Sequence, residues 1–186
     1  MKKIGFFGGS FNPIHNGHLN LVVSVLEQLE LDQILICPNN ISPFKKVTIN
    51  VEHRLEMAQL ACLHFDKIEV CDLEVKRKGK SYTIDTLREL SKIHPDAVIR
   101  FIIADELIAD FTRWKEYEAI VSEYSPILAT RHGTNHPTLP GFEQVHTPIM
   151  QISSTEVRGR IREGYICEHL VSHMVISYIE KHNLYK

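Results

Sequence analysis

The chain has 186 residues, 44 % of them apolar and 24 % charged, and a formal net charge of −2. That composition is ordinary for a globular protein and excludes a polybasic binder of nucleic acid or anionic membrane, while leaving room for a local phosphate site. No apolar run reaches the length of a membrane span, and MKKIGFFGGS is interrupted too soon for a signal peptide. Cys37, Cys62, Cys71 and Cys167 are widely spaced without a CxxC pair, and they read as thiols of a reducing compartment. The expectation is one cytoplasmic domain over residues 1–186.

Lys3 to Phe7 reads as a buried strand entering glycines at once. A loop from Gly8 to Asn16 follows. Leu19, Val22, Val23, Leu26 and Leu29 then recur at helical steps, a face packed on a sheet. QILICPN predicts a second strand stopped by Pro38, and NISPFKKVTIN a proline-marked connector. Residues 51 to 63 predict a helix with Leu55, Ala58 and Cys62 or Leu63 inward, and KIEVCD a third strand. VKRKGKS reads as a basic loop. SYTIDTLRELSKI predicts a helix capped by Ser81 or Thr83, with Ile84, Leu87, Leu90 and Ile93 inward.

VIRFIIA is a fourth strand, and ELIADFTRWKEYEAIV is largely helical with a break around Phe111 to Trp114. PILAT is a fifth strand. Residues 131 to 148 read mostly as loop, with a short sixth strand near Gln144 to His146. SSTEVRGRIREG begins a helix that Gly164 ends, and EHLVSHMVISYIEKHNLY is the last helix, so residues 153–186 form a C-terminal helical portion. Strands alternating with helices predict an α/β fold, Rossmann-like, with a parallel sheet covered on both faces.

The chemistry concentrates in GGSFNPIHNGH, residues 8 to 18. A loop between the carboxyl end of the first strand and a helix lies where ligands bind in open α/β sheets. The helix start offers unpaired N–H groups and the positive end of its dipole. Gly8 and Gly9 would let an anion approach the backbone. His15, just outside the helix, and His18, in its first turn, could each donate to phosphate oxygens and carry partial positive charge near pH 7. Neither GxGxxG nor a P-loop is present: GKS at residues 79 to 81 has Glu74 where the earlier P-loop glycine belongs. Two histidines without further ligands do not make a zinc site.

ISSTEVRGRIR, residues 152 to 162, is a second helix start suited to a polyanion. Ser153, Ser154 and Thr155 offer hydroxyls and backbone donors, and Arg158 shares a face with Arg162. Two such starts in one α/β chain point to a triphosphate site.

GGSFNPIHNGHL together with ISSTEVR resembles the nucleotidyltransferase superfamily with the HxGH motif, represented here by HNGH at residues 15 to 18. PNNISPFKK, the Arg54 helix, KGKSYTIDTL, FIIADELIADFTRW and YIEKHNLY extend the likeness nearly end to end, toward the bacterial nicotinate-nucleotide adenylyltransferases. The resemblance implies a nucleotidyltransferase-type fold. It implies adenylyl transfer from ATP, with magnesium, to nicotinate mononucleotide, giving deamido-NAD and pyrophosphate.

It further implies that His15, His18 and Arg158 serve catalysis. Gly8, Gly9, Ser10, Phe11, Lys45, Ala104, Glu106, Ser153, Ser154 and Thr155 would complete the ATP site. Asn39, Lys45, Tyr82, Thr83 and Trp114 would take the mononucleotide, with Trp114 stacked on the pyridine ring. No protein-held metal is expected, and a homo-oligomer is allowed.

Three positions depart from the pattern. Ala104 replaces a usual glycine and Glu106 a usual aspartate near the ribose, with Asp105 an alternative acceptor. Phe44 replaces a common histidine. The competing expectations are a relative that uses nicotinamide mononucleotide or another phosphate acceptor, and a nucleotide-binding regulatory module without turnover.

Overall fold

A computed structural model describes residues 1–44, 46–47, 49–131 and 140–186. Its strands are β1 (Lys2–Gly9), β2 (Gln33–Pro38), β3 (Ile68–Val70), β4 (Ala97–Ala104), β5 (Ile127–Arg131) and β6 (Glu143–Thr147). They form one six-stranded sheet in the order β3-β2-β1-β4-β5-β6. Every neighbouring pair is parallel. The order reverses between β1 and β4, which places a crevice at their carboxyl ends.

Alternation along the strands divides the core between the two faces of the sheet. Phe7, Ile34, Ile36 and Ile102 pack with buried residues of α1 (Asn16–Gln28), α2 (Val51–Cys62), α6 (Ser154–Arg162) and α7 (His173–Lys181). Ile4, Phe6, Leu35, Phe101 and Ile103 pack on the opposite face. There they meet α4 (Thr83–Ile93), a 3-10 stretch (Asp105–Arg113) and α5 (Tyr117–Tyr124).

Several local expectations change. β1 runs through both glycines, because Gly8 and Gly9 pair with Cys37 and Pro38 of β2. The basic loop contains a short helix, α3 (Leu73–Arg77), which ends as Lys78 and Gly79 take positive φ. In α2, Cys62 rather than Leu63 is buried, and Arg54 and Met57 are buried where Leu55 is only half-covered. Ile93, at the end of α4, is exposed. Neither Ser81 nor Thr83 caps α4: Tyr82 occupies that position, and the Ser81 hydroxyl accepts from the Asn40 N–H at 3.0 Å.

The last helix is shorter than its apolar pattern. Ser172 caps α7 through the Val175 N–H. Beyond Lys181, Asn183 and Tyr185 adopt positive φ, which turns the chain out of the helix and buries Leu184.

Arg54 is 1 % exposed, the largest fully buried side chain. Its guanidinium donates to the carbonyls of Ser10 (2.7 Å), Asn39 (2.7 Å) and Asn40 (3.0 Å), and to Asn39 Oδ1 (3.3 Å). It thereby ties the ends of β1 and β2 together from α2. Burial lowers its pKa, but a guanidinium stays charged in a protein. Removing it would leave three carbonyls and the Asn39 side chain without this partner and open a void behind them, so Arg54→Ala should lower unfolding stability by about 3 kcal/mol in a urea titration.

Candidate active site

α1 starts where the sequence places it. His15 is the N-cap, in extended backbone, and His18 is the third helical residue. The His15 N–H donates to His18 Nδ1 at 3.2 Å, which leaves the proton of a neutral His18 ring on Nε2. The two imidazoles stack with centroids 3.6 Å apart and planes 23° apart. His15 Nδ1 is buried without a well-formed hydrogen bond.

Burial lowers the His15 pKa to about 4. His18 is also held well below its usual value, first by burial and second by the charge of His15. Two stacked rings so enclosed cannot both hold protons. The partial positive charge expected of them near neutral pH is therefore suppressed by burial.

Phe11 supports this pair. It is almost wholly buried at φ +45°, a strained conformation for a bulky residue, and its ring meets His18 edge-on at 5.1 Å. The glycines before it serve the same packing. A Cβ on Gly9 would come within 2.8 Å of the Phe11 ring, and one on Gly8 within 3.0 Å of the Phe6 ring. Their missing side chains make room for aromatic rings of the protein, and both glycines also line the cavity that holds His15 and His18.

The second helix start meets the first loop directly. Ser153 caps α6 by accepting from the Glu156 N–H, and the Ser154 hydroxyl donates to the Pro13 carbonyl at 2.9 Å. Arg158 donates to the Asn12 carbonyl at 2.7 Å and to Thr155 Oγ1 at 3.1 Å. Asn12 is held in turn at its side chain, where the Tyr185 hydroxyl donates to Oδ1 at 2.7 Å. Arg160 serves the turn after α6 instead, donating to the Ile166 carbonyl.

Two cavities open at the switch point. The larger, about 460 Å³, is lined by Gly8, Gly9, Ser10 and Phe11, by His15 and His18, by Ala104 and Glu106, and by Ser153, Ser154, Thr155 and Arg158. The smaller, about 170 Å³, is lined by Asn39, Tyr82, Thr83 and Trp114, with Phe44 and Lys115. Gly8, Gly9 and Ser10 wall both, so the cavities adjoin. Lys45, expected to touch both substrates, lies outside the described residues.

The Asp105 carboxylate is buried and bound by the Arg131 guanidinium at 2.9 Å and 3.3 Å, whereas Glu106 is exposed and lines the larger cavity. Asp105 lines that cavity too, with its carboxylate already engaged by Arg131.

Known proteins resemble this chain over most of its length. The family model Cytidylyltransferase-like matches residues 6–160. A Streptococcus mutans protein named a probable nicotinate-nucleotide adenylyltransferase is 36 % identical over 191 residues, covering 100 % of this chain and 89 % of its own. A Bacillus cereus protein of the same name is 36 % identical over 189 residues, covering 100 % of both. The chain belongs to the nicotinate-nucleotide adenylyltransferase family. A solved structure of Plasmodium falciparum nicotinic acid mononucleotide adenylyltransferase complexed with NaAD superposes on this family member with a TM-score of 0.82. It is 25 % identical, over 100 % of this chain and 98 % of that one.

In this family member, sequence reasoning missed Asn12 and Tyr185. Asn12 looks like a turn residue and Tyr185 like a terminal helix residue, and nothing local pairs positions 173 apart. Removing only the hydroxyl should loosen the loop that holds Arg158. Tyr185→Phe is expected to weaken ATP binding several-fold, read by calorimetry, with a stability loss of about 1 kcal/mol.

The histidine pair sets a pH dependence. Both pKa values lie below the ordinary 6.5, so from about pH 6.5 down to about 4 the unfolded chain binds more protons than the folded one. Their contribution to stability is present above that window and lost on acidification, by about 3 kcal/mol at most for His15. Urea unfolding at pH 7 and at pH 4.5 should show this loss reduced in His15→Gln, and equal losses in both proteins would remove the histidine from the account.

Proposed function

We propose that this protein transfers the adenylyl group of ATP to nicotinate mononucleotide, releasing pyrophosphate and forming deamido-NAD, in NAD biosynthesis. The carrying observation is the junction of the two cavities at Gly8–Ser10, one rich in phosphate donors and one walled by an aromatic ring. Such a junction brings an attacking phosphate and an ATP α-phosphorus into line, which is most of what this reaction asks of a protein.

In the reaction, a mononucleotide phosphate oxygen bonds to the α-phosphorus while the bond from that phosphorus to the α–β bridging oxygen breaks. The electron pair leaves with pyrophosphate. The attacking oxygen is already anionic, so no general base is needed. His18, protonated on Nε2, donates to the oxygens where negative charge grows, and it does so as a neutral group in the cavity wall. His15 orients the pyrophosphate side. Ser154, Thr155 and Arg158 grip the outer phosphates, and Glu106 accepts from the ribose.

Magnesium arrives as part of the ATP substrate. Among the described residues no three His, Cys, Asp or Glu side chains cluster as metal ligands. The cation would supply further charge neutralisation on the phosphates.

The choice of the acid over the amide rests on the rim of the smaller cavity. The α4 N-terminus, at Tyr82 and Thr83, presents unpaired N–H groups and the positive end of its dipole. Lys115 adds an ammonium group, held by Asp85 at 2.7 Å. Glu74 and Asp110 line the same cavity, and a ring carboxylate is favoured over a neutral carboxamide where the helix N-terminus and Lys115 outweigh them. Four free cysteines suit the reducing cytoplasm in which the reading places the enzyme. Among the described residues no helix is long and apolar enough to cross a membrane.

Pyrophosphate release with magnesium and ATP should be much faster with nicotinate mononucleotide than with nicotinamide mononucleotide. Release with neither, despite ATP binding, would sink the enzymatic reading. His18→Ala should lower kcat by about 100-fold or more with little change in mononucleotide affinity. Trp114→Ala should chiefly raise KM for the mononucleotide.

A further inference from the structure

Phe44 lies beside the smaller cavity, and its environment gives it a use. Its ring stacks on Trp114, with centroids 6.0 Å apart and planes 28° apart. The two residues approach this contact differently. Trp114 is backed on its inner side by Phe101 at 5.7 Å and Phe111 at 5.5 Å, both buried in the core, so its ring is a fixed wall. Phe44 belongs to neither core cluster and is 50 % exposed. It sits on the connector between β2 and α2, where its own N–H donates to Ser42 Oγ at 3.2 Å.

A single exposed phenylalanine is ordinary. A phenylalanine stacked over the one tryptophan of the chain, where both line the smaller cavity, is not.

The spacing carries the inference. Aromatic atoms pack at about 3.5 Å, so a planar ring held between two others needs about 7 Å from face to face. The observed 6.0 Å separates the centroids of two rings tilted by 28° and leaves no gap for a third ring, so a planar ring enters only if one jaw swings outward, a displacement that a connector residue supplies more readily than a core-backed one. The cavity under Phe44, at about 170 Å³, is also smaller than the roughly 300 Å³ at which small-molecule sites begin. Moving the Phe44 ring outward enlarges it on the side where Tyr82, Thr83 and Lys115 wait.

We propose that Phe44 and Trp114 form a two-sided aromatic clamp that takes the pyridine ring of the mononucleotide between them, with Trp114 as the fixed jaw and Phe44 as the moving one. The proposal rests on the reading of the smaller cavity as the mononucleotide site. It makes Phe44 a binding residue for the ring. A mere plug on Trp114 would act in the opposite direction, since its removal would ease entry of the ring.

Trp114 is the only tryptophan, so its fluorescence reports the jaw directly. Nicotinate mononucleotide should quench it in the unmodified protein. Phe44→Ala should raise both the dissociation constant from that quenching and KM for the mononucleotide by about tenfold, the size of one lost aromatic stack, while KM for ATP stays put. Phe44→Leu, which keeps bulk without a flat face, should behave like Phe44→Ala, and Phe44→Tyr should restore wild-type values. Quenching with unchanged or tighter binding in Phe44→Ala would overturn the clamp and leave the mononucleotide site standing. Absence of quenching in the unmodified protein would overturn the site itself, and the clamp with it.

Discussion

The site depends on one long-range contact: the α6 start docked against the loop that leaves β1. Arg158 donates to the Asn12 carbonyl, and Ser154 to the Pro13 carbonyl. These bonds join residues 146 and 141 positions apart, and they bring the hydroxyl-rich helix start into the same cavity as the histidines. A guanidinium bonded to a backbone carbonyl is a charge-assisted contact of fixed direction. It holds Arg158 beside the loop before any ligand arrives, so little ordering remains to be done when an anion binds.

A second guanidinium does comparable work deeper in the protein. Arg54 spans the carbonyls at the ends of β1 and β2, next to the wall that the two cavities share. Each of these arginines satisfies backbone acceptors that the switch point leaves without strand partners. The crevice is thus kept open by polar bonding, in a place where an apolar core would close it.

The histidine pair shows how environment redefines a motif. Stacking and burial suppress its protonation, which turns a suspected cationic patch into two neutral hydrogen-bond donors. Neutral donors suit a reaction whose charge grows during transfer, because they bind the ground-state anion less strongly than a fixed cation would. Phe11 keeps the geometry by filling the space that Gly9 leaves.

Much of this was legible from local pattern. Apolar alternation and helical spacing identify the strands and helices, since burial on a sheet face imposes a period that neighbouring residues reveal. The two helix starts are legible for the same reason: capping hydroxyls, glycines and histidines sit within a few residues of one another. The resemblance carried by HNGH and ISSTEVR added the family. What the chain order could not disclose is which distant groups meet. Tyr185 on Asn12, Arg54 on three carbonyls, Asp105 taken by Arg131 and Phe44 laid on Trp114 are all pairings across the fold. Nor could it foresee that Asn183 and Tyr185 would turn the chain out of its last helix, because the drive to do so is the burial of Leu184. The sequence by itself determined the elements and the types of chemical group at their ends. Only the tertiary structure decided which of those groups are consumed by one another and which still face the cavity, because hydrogen bonding and burial between remote segments set that division.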